Sequence, residues 1–184
     1  IGCYDRALEL DPMHSVAWCN KGASLFSLGR HEEAIGCYDK ALELDPREAR
    51  VWHNKGDILN RLGRYEEAIR CYDEAWELDP RHAEVQNNKG LSLDSLGRHE
   101  EAVGCYDKAL ELDPRYAAAW YNKGRSLHSL GRHEEAIRCT DEALELTPQF
   151  ALAWNHKGLS LCSLGRYEEA IGCYDKALEL DPRE

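Results

Sequence analysis

The side chains in this sequence with recognition chemistry recur at one spacing. Asn20, Asn54, Asn88 and Asn122 stand 34 residues apart, and His156 takes the next place in the column. A primary amide carries both donors and an acceptor, so a row of them can hold an extended peptide backbone whatever its side chains. Beside that column the residues change from one period to the next: Arg50 and His53, then Tyr121 and Arg125, then Asn155. Varied neighbours of this kind would supply specificity. Solvated amides would produce the same column, and drift at exposed positions the same variation, so both readings stay open at this level.

Other chemistry is excluded on spacing. His31, Glu32 and Glu33 open like a zinc-binding HExxH, as do the stretches at His99 and His133, but Ile35, Val103 and Ile137 stand where the second histidine must be. No phosphate-cradling glycine loop and no GxSxG elbow is present. Neighbouring carboxylates such as Glu66 and Glu67 do not face each other on a helix. No catalytic, cofactor or metal site is therefore expected. Cys3, Cys37, Cys71, Cys105, Cys139 and Cys173 share the 34-residue spacing, with Cys19 and Cys162 outside it. Helices packed about 8–10 Å apart would hold equivalent cysteines beyond the ~7 Å Cα limit of a disulfide. The column reads as small apolar filler, whereas Cys19 and Cys162 are expected on a more exposed face.

Composition narrows the partners. Across 184 residues, 34 acidic side chains oppose 23 basic ones, for a net charge of −11. Nucleic-acid binding needs clustered cations, so it is not expected. No apolar run approaches the ~18 residues of a membrane span. Without a CxxC pair, a glycosylation sequon or a signal-like start, the thiols read as free and the chain as cytoplasmic. The sequence opens mid-pattern at Ile1, which leaves an upstream targeting segment open.

The period also sets the elements. Pro12, Pro46, Pro80, Pro114, Pro148 and Pro182 are 34 residues apart, and glycine columns run from Gly22 to Gly158 and from Gly29 to Gly165. Each period reads as two helices. Ala17, Trp18, Lys21, Leu25 and Leu28 share one side of the first. Gly29 and Arg30 break it, and Glu32 and Glu33 then favour the positive end of a second helix. There Ala34, Ile35, Tyr38, Ala41, Leu42 and Leu44 form a stripe that ends before Asp45-Pro46. Neither helix buries its stripe alone, so repeats must stack. The Lys21 column points at the core, so each ammonium is expected to snorkel to a carboxylate or carbonyl. The Gly56 and Gly90 column is expected where the two helices cross closely.

Trp18, Gly22, Ala34, Tyr38, Ala41 and Pro46 match the tetratricopeptide repeat (TPR) signature, and the chain resembles that family throughout. Residues 1–14 read as the second half of a preceding unit, followed by units at 15–48, 49–82, 83–116, 117–150 and 151–184. Lys21 and its equivalents stand where the family usually has Leu, and Leu25 where it has Tyr. Gln86 and Thr140 replace aromatics and should loosen packing locally.

The resemblance implies an all-α, right-handed superhelical solenoid acting as a non-catalytic protein–protein interaction scaffold. Its first helices would line a concave groove for a peptide or partner segment, which places the asparagine column and its neighbours there. Chaperone-tail binding, which some TPR proteins achieve with Lys and Arg beside such asparagines, is disfavoured because Val16, Cys19 and Asn88 occupy the places of basic groups. Two alternatives remain: a self-assembling array, or the recognition segment of a larger enzyme. For the first, Ile1, Tyr4, Ala7 and Leu8 at one end and Ala170, Tyr174, Ala177 and Leu178 at the other are expected to leave apolar surface open and to associate weakly head to tail.

Overall fold

The computed structural model describes residues 2–181. Ile1 and Pro182, members of the stripe and proline column above, lie outside them. Eleven α-helices and no strand occur among the described residues. They are α1 (Gly2–Leu10), α2 (Ser15–Ser27), α3 (His31–Leu44), α4 (Ala49–Arg61), α5 (Tyr65–Leu78), α6 (Ala83–Ser95), α7 (His99–Leu112), α8 (Ala117–Ser129), α9 (His133–Leu146), α10 (Ala151–Ser163) and α11 (Tyr167–Leu180). The chain divides into two compact units between Ser92 and Leu93. In the first, α2 packs on α3 and α4 on α5; in the second, α8 packs on α9 and α10 on α11.

Each hairpin turns on one glycine. Gly29 has φ +73°, a conformation that costs a side-chain-bearing residue and suits glycine. The Arg30 amide reaches back to the Leu25 carbonyl at 3.0 Å and the Gly29 amide to Phe26 at 2.9 Å, so the last carbonyls of α2 are satisfied by a Schellman motif. The same pair recurs at Gly63–Arg64 and Gly131–Arg132. Arg30 then grips Glu33 with two hydrogen bonds of 2.7 and 2.6 Å across the first turn of α3. The second helix stops at the proline, whose carbonyl accepts the indole N–H of the tryptophan six residues on: Trp52 on Pro46 at 3.0 Å, Trp154 on Pro148 at 3.0 Å.

The core is built from the repeated columns. Ala34, Tyr38 and Ala41, with their equivalents Ala68, Tyr72 and Ala75, are buried. Tyr72 lies flat against Gly56, where an added Cβ would stand 2.6 Å from its Cε1 atom. Gly90, at the equivalent place in α6, is buried. The Cys37, Cys71, Cys105, Cys139 and Cys173 thiols are buried, and burial raises the pKa of Cys37, Cys139 and Cys173, and that of Cys71 to about 11. They fill space and are poor nucleophiles.

The lysine column does what its position demands. Lys21 reaches Asp5 at 2.7 Å, Lys55 reaches Asp39 at 2.5 Å, Lys123 reaches Asp107 at 2.5 Å and Lys157 reaches Asp141 at 2.6 Å; Lys89 pairs likewise with Asp73. Each acid lies on the second helix of the preceding period, so the pair pins successive units together. Lys21, Lys55, Lys123 and Lys157 also stand over Trp18, Trp52, Trp120 and Trp154. The aspartates are half exposed, which keeps each ion pair near about 1 kcal/mol or below. Cation–π contact and the buried stem add to it.

Several expectations are corrected. Leu28 caps α2 beyond its helical turn and is exposed. Cys19 is 5% exposed, because it joins the cluster that includes Val51 on α4. Gln86 and Thr140 are both buried. Gln86 pays for its place with a buried Oε1 that has no hydrogen-bond partner, while Trp76 stands in the column where other repeats carry Leu42 and Leu110 and packs on the cluster containing Val85. In α11, Ala170 and Ala177 are buried against their own hairpin; the open apolar residues are Ile171 at 59% and Leu178 at 51%, against 8% for Ile137 and 7% for Leu144. In α1, Leu8 is buried by α2, and Leu10 is exposed instead.

Candidate peptide-binding faces

In the first unit the candidate residues come from α2, α4 and the start of α6. Asn20 is exposed, Asn54 and Asn88 are half-buried. Asn88 is already committed: its amide donates to Asp57 Oδ1 at 3.0 Å and lies 3.3 Å from His53 Nε2, while its Oδ1 accepts from Asn87 at 3.2 Å. Asp57 also accepts the Tyr72 hydroxyl at 2.8 Å. A tyrosine of the packing column thus fixes a carboxylate, which fixes the amide. Burial first, and the Asp57 carboxylate beside it, push the Tyr72 phenol well above its ordinary range, so it stays a donor. Asn54 stands beside the Tyr38 hydroxyl, whose pKa burial raises to about 12. Arg50 and His53 border one recess with Ala75, His82 and Val85.

The second unit differs. Asn122 is 7% exposed, so the amide column does not reach solvent evenly as its shared face predicted. Tyr121 stacks near Phe150, ring centroids 4.7 Å apart, and meets His156 edge-on at 5.6 Å. His128 lies 5.9 Å from His156 and 4.9 Å from His133, with Nδ1 3.0 Å from Ser160 Oγ. The Arg125 guanidinium stands 5.8 Å from the Tyr121 ring. Burial, then Arg125 and His128, lower the His156 pKa to about 4, so the imidazole is neutral at pH 7. Asn155 borders a separate recess with Tyr174, Ala177 and Leu178.

Thr140 explains this cluster. Tyr38 stands sixteen residues before Asn54 and beside it; Thr140 stands sixteen residues before His156 and has no ring to offer. Its hydroxyl turns back onto the Ile137 carbonyl at 2.8 Å. The second helix thus lacks the ring of its column, while the next first helix carries an imidazole where the other repeats carry an amide. Reading the columns separately missed this, as it missed the part of Asp94, which accepts Tyr106 at 2.9 Å, Ser126 at 2.7 Å and stands 2.9 Å from His99. The sixteen-residue offset between packing and groove columns was the signal available.

These hairpins, with a glycine-set turn, a buried tyrosine against glycine and a polar first-helix face, define a helix-pair repeat protein of the interaction-scaffold class. The chain belongs to the tetratricopeptide repeat family, which it matches over residues 15–48, 47–115, 105–138 and 151–184. No curated protein sequence matches it significantly. Among solved structures it resembles MamA, with TM-score 0.83, 26% identity and coverage of 88% of this chain and 95% of that one. It also resembles YrrB, described as "a TPR protein with an unusual peptide-binding site", with TM-score 0.82, 25% identity and coverage of 97% and 92%. MamA from Desulfovibrio magneticus RS-1, at 20% identity with TM-score 0.86 and coverage of 92% and 96%, shares the fold. The fold is the all-α TPR solenoid, and no helix among the described residues is long and apolar enough to cross a membrane.

Proposed function

We propose that the chain is a non-catalytic scaffold that holds a peptide or an extended partner segment against the exposed faces of its first helices. One observation carries this reading. Exposed positions on the second helices vary little between repeats: Glu32, Glu66, Glu100, Glu134 and Glu168 are one residue type, as are Glu43, Glu77, Glu111, Glu145 and Glu179, and the columns that begin at Gly36 and Lys40 alternate between two types. The outer column of the first helices reads Val16, Arg50, Glu84, Ala118 and Leu152 instead. Drift would have scattered both surfaces alike. Variation concentrated on one face suits recognition there, and the description of YrrB as peptide-binding supports it.

Asn54 and Asn88 are the amides to test, since Asn122 is buried. Peptides selected from a random display library on the chain should bind about tenfold more weakly when both are changed to Ala, as two hydrogen bonds of about 0.5–1.5 kcal/mol are lost. Calorimetric titration checks it, with the melting temperature as control. Unchanged affinity overturns the amide role.

A second reading, self-association of the chain, rests on Ile171 and Leu178, which the equivalent internal residues show to be a packing surface. The expected partner face changes, however. α1 and α11 are both second helices of their units, so joining them does not reproduce an internal junction, which pairs a second helix with a first. Light scattering over a wide concentration range should show weak association that Leu178→Glu abolishes and that salt strengthens by screening the −11 charge. A monomer at every concentration overturns it.

A further inference from the structure

We propose that the α8–α10 face of the second unit binds a peptide segment carrying one carboxylate flanked by aliphatic side chains, with Arg125 as the anchoring cation. The inference rests on the groove reading above and names its ligand class. It begins with charge. The sequences of α8 and α10 contain no Asp or Glu. Two of their three cations are spent: Lys123 and Lys157 face the preceding second helices and pair with Asp107 and Asp141. Asp94, at the end of α6, is saturated by Tyr106, Ser126 and His99, and its side chain is only 10% exposed. Arg125 keeps only its contact over Tyr121 and meets no carboxylate among the described residues.

A half-buried guanidinium without a counter-ion, in a chain with a net charge of −11, is an unusual arrangement. Tyr121, itself held against Phe150 and His156, keeps the fork in place, so little conformational freedom is lost when it is engaged. The neighbouring imidazoles do not compete for the anion at neutral pH: burial and Arg125 keep His156 neutral, and burial with His133 lowers the pKa of His128. Arg125 is therefore the formal charge that an incoming ligand meets.

The rest of the face sets what surrounds the carboxylate. Leu152, Asn155 and Leu159 follow one another at helical spacing on α10, opposite Tyr121, Arg125 and His128 on α8. Leu152 and Leu159 are exposed. The cross-helix contacts Tyr121–His156 and His128–Ser160 place the two rows side by side. An aliphatic residue next to the acid would cover these leucines while Asn155 meets the backbone. A polyacidic tail fits poorly, because the acidic second helices repel it and only one guanidinium awaits it.

The test uses the whole 184-residue chain and a panel of capped heptapeptides of Leu, Val and Ala with one Asp, paired with the same peptides carrying Asn. Calorimetry should give the best Asp peptide about 10- to 100-fold tighter binding than its Asn twin, as expected for a charge-assisted pair. Arg125→Gln should abolish that preference, Arg125→Lys should restore part of it, and Arg70→Gln, at an exposed position of the second helix α5, should leave it intact. Absence of binding by every Asp peptide, or a preference that survives Arg125→Gln, overturns the proposal. Equal binding of Asp and Asn twins, sensitive to Asn54→Ala but not to Arg125→Gln, overturns it while leaving the groove reading standing.

Discussion

Gly56→Leu lowers the stability of the chain by about 3 kcal/mol, seen as a denaturation midpoint well below that of the unaltered protein. The Cβ alone would stand 2.6, 2.9 and 3.1 Å from Cε1, Cδ1 and Cζ of Tyr72. That ring is fully buried, and its hydroxyl is tied to Asp57, so it has nowhere to go. The hairpin must open or the side chain must leave its rotamer, and overpacking of this kind costs about 1–3 kcal/mol, occasionally more. The comparison that isolates the cause is Gly36→Ala or Gly104→Ala. Both glycines are helical with no neighbour within 4 Å of the new Cβ, so alanine there should stabilise by about 0.5–1 kcal/mol through helix propensity and a less flexible unfolded chain. Gly56→Leu unfolding at the same denaturant concentration as the parent would show that α4 and α5 are not packed through Tyr72. The effect reaches function as well, because Tyr72 is what orients Asp57 and, through it, Asn88.

The helices, their turns and the lysine contacts were legible in the sequence because each follows from a local rule: a glycine where φ is positive, a proline that ends a helix, an ammonium on the core side that must find an acid. Exposure along the candidate face was not. A helical wheel places Asn20 and Asn122 identically, yet one is open and the other buried. Asn20 lies between Cys19 and Ala23, Asn122 between Tyr121 and Arg125, and the wheel records direction without the reach of neighbouring side chains. Cys19 was misplaced for the same reason, since Val51 of the next first helix lies over it. Exchange between columns was also invisible one column at a time. Thr140 and Gln86 each stand where other repeats carry an aromatic, while His156 and Trp76 add rings in other columns of neighbouring helices. Each column's chemistry was readable; the compensation between columns depends on contacts.

Acidification exposes one of those exchanges directly. His156 titrates near 4 in the folded chain, first because it is buried and then because Arg125 and His128 disfavour a further positive charge. Its ordinary value in an unfolded chain is about 6.5. The fold therefore favours the neutral ring, so the unfolded state takes up the proton first as the pH falls. Stability is unaffected by this group above about pH 6.5, declines between about 6.5 and 4, and levels off once the folded form is protonated too. The slope approaches about 1.4 kcal/mol per pH unit and accumulates to roughly 1–3 kcal/mol. His128 adds in the same direction, lowered by burial and by His133. Carboxylates held low by arginine, such as Glu33 beside Arg30 and Asp79 beside Arg81, lose their contribution only as the pH falls through their ordinary values of 4.5 and 3.8, below the pH 5 point. Denaturant unfolding at pH 7, 6 and 5 should show the decline in the parent and a flatter profile in His156→Asn, which restores the amide of the other repeats. The variant's absolute stability is not the readout, since it loses the ring's contacts with Tyr121 and His128. The slope is, and an undiminished slope in the variant would mean that the imidazole is reached by water and its neighbours do not hold it neutral. A neutral His156 is also what leaves Arg125 as the charge on the α8–α10 face, so the stability slope and the peptide preference depend on the same arrangement of rings.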